Sequence, residues 1–177
     1  MTDERITRES LLHALHSLPR GAGVVFRHYS LAPTARRALF LEVRTIAKRR
    51  RLVLLLAGRA PKAQAWGADG WHGRTRGPAS MLHSAPAHNI REVRLAEASG
   101  ADVLFVSPVF ATRSHPGHAA LGRVRFVALA RKARRPVIAL GGMTPARWRG
   151  IAATSAYGWA AIDAWQIAVE AKMHKVG

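Results

Sequence analysis

The chain has 177 residues, 49% of them hydrophobic, and 28 Lys and Arg against 10 Asp and Glu give a formal net charge of +18. So high an apolar fraction excludes a disordered polymer, and the length suits a single domain, 1–177, that buries a substantial core. There is no cysteine and no apolar run near the ~18 residues of a membrane span, so disulfides are excluded and a cytoplasmic protein without a membrane partner is expected.

Nearly all of the positive excess is arginine, which admits nucleic acid, an anionic surface or phosphorylated small molecules as partners. The arginines are spread over every predicted helix, among them Arg36, Arg37, Arg44, Arg91, Arg131 and Arg147, without interleaved aromatic residues. Most of this charge is expected to be solvated helix surface rather than a nucleic-acid platform.

In chain order, Thr7 to Leu18 has helical spacing of leucines (11, 12, 15, 18) and stops at Pro19. Gly23 to Arg27 reads as a strand, followed by a helix from about Thr34 to Arg50 with Leu39, Val43 and Ile46 on one face. Leu52 to Leu56 is a strand, Pro61 to Trp66 a short helix, and Gly67 to His72 leads into the next strand. Residues 73–81 form a Gly- and Pro-containing loop. Leu82 to His88 is a strand interrupted by Pro86. Asn89 caps a helix that Gly100 ends, and Ala101 to Val106 is a buried strand. A long loop to Gly122 precedes a helix, Val124 to Ala133. A strand at Gly158 to Ile162 and a helix from Asp163 to His174 complete the chain.

Between the last two strands lies Arg135 to Arg149, where the β-branched run Pro-Val-Ile-Ala-Leu ends at Gly141 and Gly142 and a helix restarts with Thr144 as N-cap and Pro145 at its first position. Glycines lacking Cβ beside unpaired N–H groups suit an anion, whereas a plain strand-to-helix turn would need the same residues only for backbone geometry.

Strands alternating with helices predict a parallel sheet with right-handed crossovers. Seven strands, near residues 24, 54, 70, 85, 104, 138 and 160, fall one short of a (β/α)8 barrel; an open doubly wound sheet is the alternative.

Four stretches, taken in order, resemble the thiamine phosphate synthase/TenI family: GADGWH (67–72), AHN (87–89), SGADVLFVSPVFATRSHPG (99–117) and PVIALGGMTP (136–145). The resemblance covers most of the chain and is strongest from Gly67 to Ile162. It implies an α/β fold, a (β/α)8 TIM barrel. Thr2-Asp3 is similar to the pair that ends the family's first strand, so that strand is expected to be short or truncated, with an upstream start as the alternative. An unpaired gap there would expose sheet edges and favours a homo-oligomer. A phosphate commonly sits in the loops after strands seven and eight of such barrels. The resemblance therefore implies a thiazole phosphate at Gly141 and Gly142.

His88 matches the family's histidine, which in thiazole tautomerases moves a proton to aromatise the thiazole ring. Imidazole suits the task because it both accepts and returns a proton near neutrality. The alternative is a histidine merely hydrogen-bonded in the barrel mouth. Arg27 is similar to the family arginine assigned to a pyrimidine pyrophosphate, although Val25 and Tyr29 depart from the flanking pattern. Arg59 resembles a further substrate-binding arginine, but Ala57 and Gly58 replace the residues beside it, including a metal-binding acid. The second expected acid is replaced by Gly73-Arg74-Thr75-Arg76. Magnesium is thus implied by the family while its carboxylate ligands are absent. Arg74 and Arg76 would either neutralise a pyrophosphate or remain solvated. Thr112, Ser114 and His115 resemble the loop that holds the leaving pyrophosphate, His115 standing in place of a lysine. Pro86 stands where the synthases carry serine. Asp163 stands where a serine holds the thiazole phosphate, and either repels phosphate or caps the last helix.

Four functions follow: thiamine phosphate synthesis from a pyrimidine pyrophosphate, TenI-like thiazole tautomerisation, a catalytically degenerate ligand-binding barrel, and a basic nucleic-acid-binding protein. The missing metal acids and the Gly-Gly-Met-Thr-Pro sequence at 141–145 lean toward the tautomerase.

Overall fold

The structure, a computed structural model, describes residues 1–112 and 119–162. Two compact units share the chain, the first containing residues 1–71 and the second residues 72–161.

The first unit begins with Thr2, buried against the strand β1 (Gly23–Phe26): its N–H donates to the Val25 carbonyl at 2.9 Å, and its Oγ1 accepts from the Arg27 N–H at 2.9 Å. No strand is formed there, so the short first strand implied by Thr2-Asp3 is reduced to this contact. Helix α1 (Arg8–Ser17) is capped by the Thr7 side chain. Helix α2 (Pro33–Arg50) returns the chain to β2 (Val53–Ala57), which pairs in parallel with β1 in the register Val24↔Leu54. The buried row of α2 is Arg36, Phe40, Val43 and Ala47, so the face expected from Leu39 and Ile46 is rotated. Phe40 decides this, packing edge-on to Phe26 at 5.5 Å and against Trp66 of α3 (Ala60–Trp66) at 5.3 Å. The Asp69 carboxylate accepts from the Leu54 N–H at 2.7 Å, fixing the start of β3 (Gly70–His72), a strand that runs into the second unit.

In the second unit no helix precedes β4 (Leu82–Ala87). Residues 73–81 lack an apolar stripe and contain Gly77-Pro78, which favours a loop. Pro86 does not break β4, where it lies opposite Phe105 in the parallel pairing with β5 (Val103–Val106). Helix α4 (Ile90–Ala98) joins the two strands, and the Asp102 carboxylate accepts from the His83 N–H at 2.9 Å, repeating the device of Asp69. Helix α5 (Gly122–Lys132) leads to β6 (Val137–Ala139), and the five-residue α6 (Pro145–Arg149) leads to β7 (Ala156–Trp159). Strands β4 to β7 are parallel and adjacent in chain order, over a core of Val93, Leu104, Val106, Phe126, Val137 and Ile151. The last strand starts two residues before its expected position because Val137 pairs with Ala156 and Ile138 with Gly158. Tyr157 is the extra residue of that bulge, and it is exposed. The helix expected from Asp163 to His174 lies outside the described residues. Among the described residues no helix is long and apolar enough to cross a membrane.

Candidate functional site

Three consecutive strand ends in the second unit build the candidate site. His88 follows β4, Ser107-Pro108 follows β5, and Gly141-Gly142 follow β6. The His88 Nδ1 lies 2.6 Å from the Ser107 carbonyl oxygen. A carbonyl oxygen only accepts, so Nδ1 carries the hydrogen, and in the neutral ring Nε2 is left with a lone pair. His88 is exposed, so that lone pair is available to a ligand.

The main chain of His88 is held from below by the cap of α4. Asn89 Oδ1 accepts from the Glu92 N–H at 3.0 Å, and Glu92 answers by accepting from Asn89 Nδ2 at 3.2 Å and from the His88 N–H at 3.2 Å. The arrangement differs from a capping box in that Glu92 takes the N–H of the residue before the cap and not that of Asn89 itself. Arg74 reaches the same carboxylate at 2.9 Å. Burial pushes the Glu92 carboxyl up, but the Arg74 hydrogen bond and charge, helped by the charge and backbone N–H of His88, hold it below its ordinary value. Arg76 donates to the Ala98 carbonyl at the end of α4. The two loop arginines, expected either to meet a pyrophosphate or to remain solvated, are exposed, and each also reaches a group on α4.

Gly141 and Gly142 have φ of +92° and +60°. A Cβ on Gly141 would lie 2.7 Å from Pro108 Cα, and one on Gly142 would lie 2.5 Å from the Ala111 carbonyl oxygen. One face of the glycine pair is therefore covered by residues 108–111, which also donate from Val109 N–H to Leu140 O and from Phe110 N–H to Gly141 O. The N–H groups of Gly141, Gly142 and Met143 have no acceptor among the described residues. Thr144 caps α6 as expected, but at five residues that helix adds little dipole, so an anion here would rest on amide hydrogens. Arg147 lies beside them, its guanidinium 4.8 Å from the Phe110 ring centre and its Nη1 donating to the Gly142 carbonyl. His88 and Gly141 thus touch adjacent residues, Ser107 and Pro108, at one end of this unit.

Thr112 is half-buried in the loop after β5. Ser114, His115 and Asp163 lie outside the described residues. Arg27 and Arg59 belong to the first unit, where Arg27 follows β1 and the exposed Arg59 precedes α3. Their neighbour Arg36 is an exception to the expectation that most of the arginine charge is solvated. It is buried, donating from Nε and Nη2 to the Arg27 carbonyl at 3.0 and 2.7 Å, and from Nη2 to the Ala57 carbonyl at 2.9 Å. Tyr29 and Trp66 lie 5.3 and 5.6 Å from its guanidinium carbon. The signal was its position on the buried row of α2, four residues before Phe40.

The stations at which the resemblance implies magnesium ligands are Ala57-Gly58-Arg59 and Gly73-Arg74-Thr75-Arg76, which hold no carboxylate. Arg74 is committed to Glu92, and no group of three His, Asp or Glu among the described residues is placed to hold a metal ion. A hard cation needs oxygen ligands, and these residues do not fit one.

A family model described as thiamine monophosphate synthase matches residues 1–165. The chain is similar to a protein of Aquifex aeolicus (strain VF5) provisionally named thiamine-phosphate synthase 2, 31% identical over 174 residues, 92% of this chain and 94% of that one. It is also similar to the thiamine-phosphate synthase of Chloroflexus aurantiacus, 32% identical over 134 residues, 70% of this chain and 62% of the other. Thiamine phosphate pyrophosphorylase from Pyrococcus furiosus has the same fold, with a TM-score of 0.75 at 24% identity over 92% of this chain and 83% of that one. The fold class is therefore the α/β barrel class that the resemblance implies, and not the open doubly wound sheet left as its alternative.

Proposed function

The chain belongs to the thiamine monophosphate synthase family, and from that premise we propose that it acts on a thiazole phosphate by proton transfer through His88, the reaction of a thiazole tautomerase. The observation that carries this reading is the Nδ1–H donated to the Ser107 carbonyl. It presents Nε2 as the base, one residue from the loop that packs on Gly141. In the proposed step Nε2 takes a proton from a non-aromatic thiazole, and the imidazolium returns one elsewhere on the same molecule as the ring becomes aromatic. Atoms and charge balance without a co-substrate. The phosphate ester rests on the amides of Gly141, Gly142 and Met143, which fixes the ring relative to the base.

Coupling of a pyrimidine pyrophosphate to the thiazole phosphate is the second reading, favoured by Arg27 and Arg59 at their strand ends and by the names of the two relatives. Its weakness is the carboxylate-free donor set at both metal stations. Solvent-deuterium incorporation into a thiazole carboxylate phosphate separates the readings. Wild type is expected to exchange and His88→Asn to lose exchange; an unchanged rate in His88→Asn removes the histidine from the mechanism. Magnesium-dependent formation of thiamine phosphate from both substrates would replace the tautomerase reading by the coupling reaction.

A further inference from the structure

Arg36 is a buried cation with no carboxylate in ion-pair contact among the described residues, although a charge taken out of water is ordinarily paired. The acids of residues 1–71 are engaged elsewhere: Asp3 with Arg5, Glu9 and Glu42 with Arg8, and Asp69 with the Leu54 N–H. Glu4 lies near enough for its charge to favour the guanidinium, but its two oxygens accept from the Ser30 N–H and Oγ at 2.7 and 2.6 Å. The Nε and Nη2 donors of Arg36 go to the Arg27 and Ala57 carbonyls, whereas Nη1 has no acceptor among the described residues and reaches solvent.

Two more cations share the aromatic neighbours of Arg36. The Arg27 guanidinium carbon lies 5.9 Å from the centre of the same Tyr29 ring, and Lys62 Nζ lies 4.9 Å from the centre of the same Trp66 ring. Neither has a carboxylate partner among the described residues. Like charges gathered on two rings repel one another until an anion joins them, and a multivalent anion relieves most of that repulsion. Ala57, whose carbonyl Arg36 holds, opens the Ala57-Gly58-Arg59 station at which the resemblance implies a magnesium ligand. A guanidinium is built into the strand ends there, and no carboxylate is offered to a metal.

We propose that Arg36 takes the place of the metal: with Arg27 and Lys62 it forms a site for a multivalent phosphate, inorganic diphosphate being the simplest, that needs no divalent cation. Guanidinium meets phosphate oxygens through paired N–H donors and carries its own charge. The two strand-end carbonyls hold it in place before the ligand arrives, so little side-chain freedom is lost on binding. The site lies wholly in the first unit and uses neither His88 nor the glycine pair, so it goes beyond the proton-transfer reading and does not depend on it.

Calorimetric titration of the full chain with inorganic diphosphate, first in EDTA and then with excess magnesium, tests this, and amide NMR shifts locate the ligand. Binding is expected in EDTA and no tighter with magnesium, with shifts at Arg27, Tyr29 and Gly58. Arg36→Lys, which keeps the charge but not the fork, is expected to weaken binding about ten-fold, the loss that accompanies a charge-assisted hydrogen bond. Lys62→Gln, at an exposed position, is expected to weaken it about two- to five-fold. Arg91→Gln removes an equal charge from the exposed face of α4 and is expected to leave the affinity unchanged. No binding in EDTA, binding that requires magnesium, a wild-type Kd in folded Arg36→Lys, equal losses in Lys62→Gln and Arg91→Gln, or shifts confined to Gly141, Gly142 and Met143 overturns the proposal. Should Arg36→Lys fail to fold, Lys62→Gln and Tyr29→Leu, both at exposed side chains, decide, and wild-type affinity in the two overturns it. Because diphosphate binding involves no thiazole and no proton transfer, its failure leaves the His88→Asn exchange result standing, and the converse holds.

Discussion

Replacing Gly141 by alanine tests how the candidate site is built. At φ +92° an added Cβ would meet Pro108 Cα at 2.7 Å and Pro108 Cβ at 2.8 Å. An L-residue in left-handed backbone costs about 1–2 kcal/mol, and forcing a methyl group into occupied space costs about 1–3 kcal/mol more. The sum, about 2–5 kcal/mol, lowers Tm by about 4–20 °C at ~2–4 °C per kcal/mol for a chain of this size. Gly21 is the control, since it has φ +79° but nothing within 4 Å of an added Cβ. Gly21→Ala should therefore carry only the conformational part, about 1–2 kcal/mol. Urea denaturation followed by tryptophan fluorescence measures both variants in one assay. Equal losses in the two variants, or a Gly141→Ala protein as stable as wild type, would refute the packing of residues 108–111 on the glycine pair. Since Pro108 follows the residue that accepts from His88, Gly141→Ala is also expected to slow exchange, in step with displacement of that acceptor.

Two further predictions concern the first unit. Arg36→Met removes the donors from two strand-end carbonyls and should cost about 3–6 kcal/mol, hydrogen bonds to a charged group being worth about 1.5–3 kcal/mol each. Arg36→Lys keeps the charge but not the fork, and should fall between Arg36→Met and wild type in urea midpoint; an Arg36→Met midpoint at the wild-type value would show that the fork does not hold these strand ends. Burial holds the His28 imidazole below its ordinary value, with Glu4 and Asp3 opposing and Arg36 and Arg27 adding to the effect. The native state then binds fewer protons than the unfolded state just below about pH 6.5, so stability is full above that pH and falls as the medium is acidified. Asp3, Glu4 and Glu92, all held below their ordinary values, contribute a separate loss only as pH falls through the carboxylate range. His28→Asn, which tolerates the residue's φ of +36°, should flatten stability between pH 7 and 5 and leave the lower loss intact; an unaltered slope would contradict the burial of a neutral ring.

Strands β1, β2, β5 and β6 were legible because each is a short apolar run rich in Val, Ile, Leu and Phe between turn residues, and buried parallel strands need little else. The end of the chain was less so: the register shift at Tyr157 adds a residue that no periodicity announces, so β7 begins at Ala156 rather than Gly158. On α2, Leu39 and Ile46 outweighed an arginine in any hydrophobicity pattern, although the Arg36, Phe40, Val43, Ala47 row has the correct helical spacing. Arg36 is buried because two strand-end carbonyls need donors, a requirement that exists only once β1 and β2 are side by side. In the candidate site, the glycine pair, the Thr144 cap and His88 were readable from local chemistry and resemblance. The tautomer of His88 was not, since Ser107 lies 19 positions away and acts through its main chain. Arg74 could not be assigned for a similar reason: its partner, Glu92, belongs to the next helix.

The most direct measurement is a nitrogen-15 NMR experiment on the His88 ring and the Gly141, Gly142 and Met143 amides during titration with a thiazole phosphate. The account predicts that the neutral form of the ring carries its hydrogen on Nδ1 with Nε2 bare, and that ring and amide resonances move together with a single Kd. Hydrogen on Nε2 in the free protein, or amides that shift while the ring stays unmoved, would contradict it.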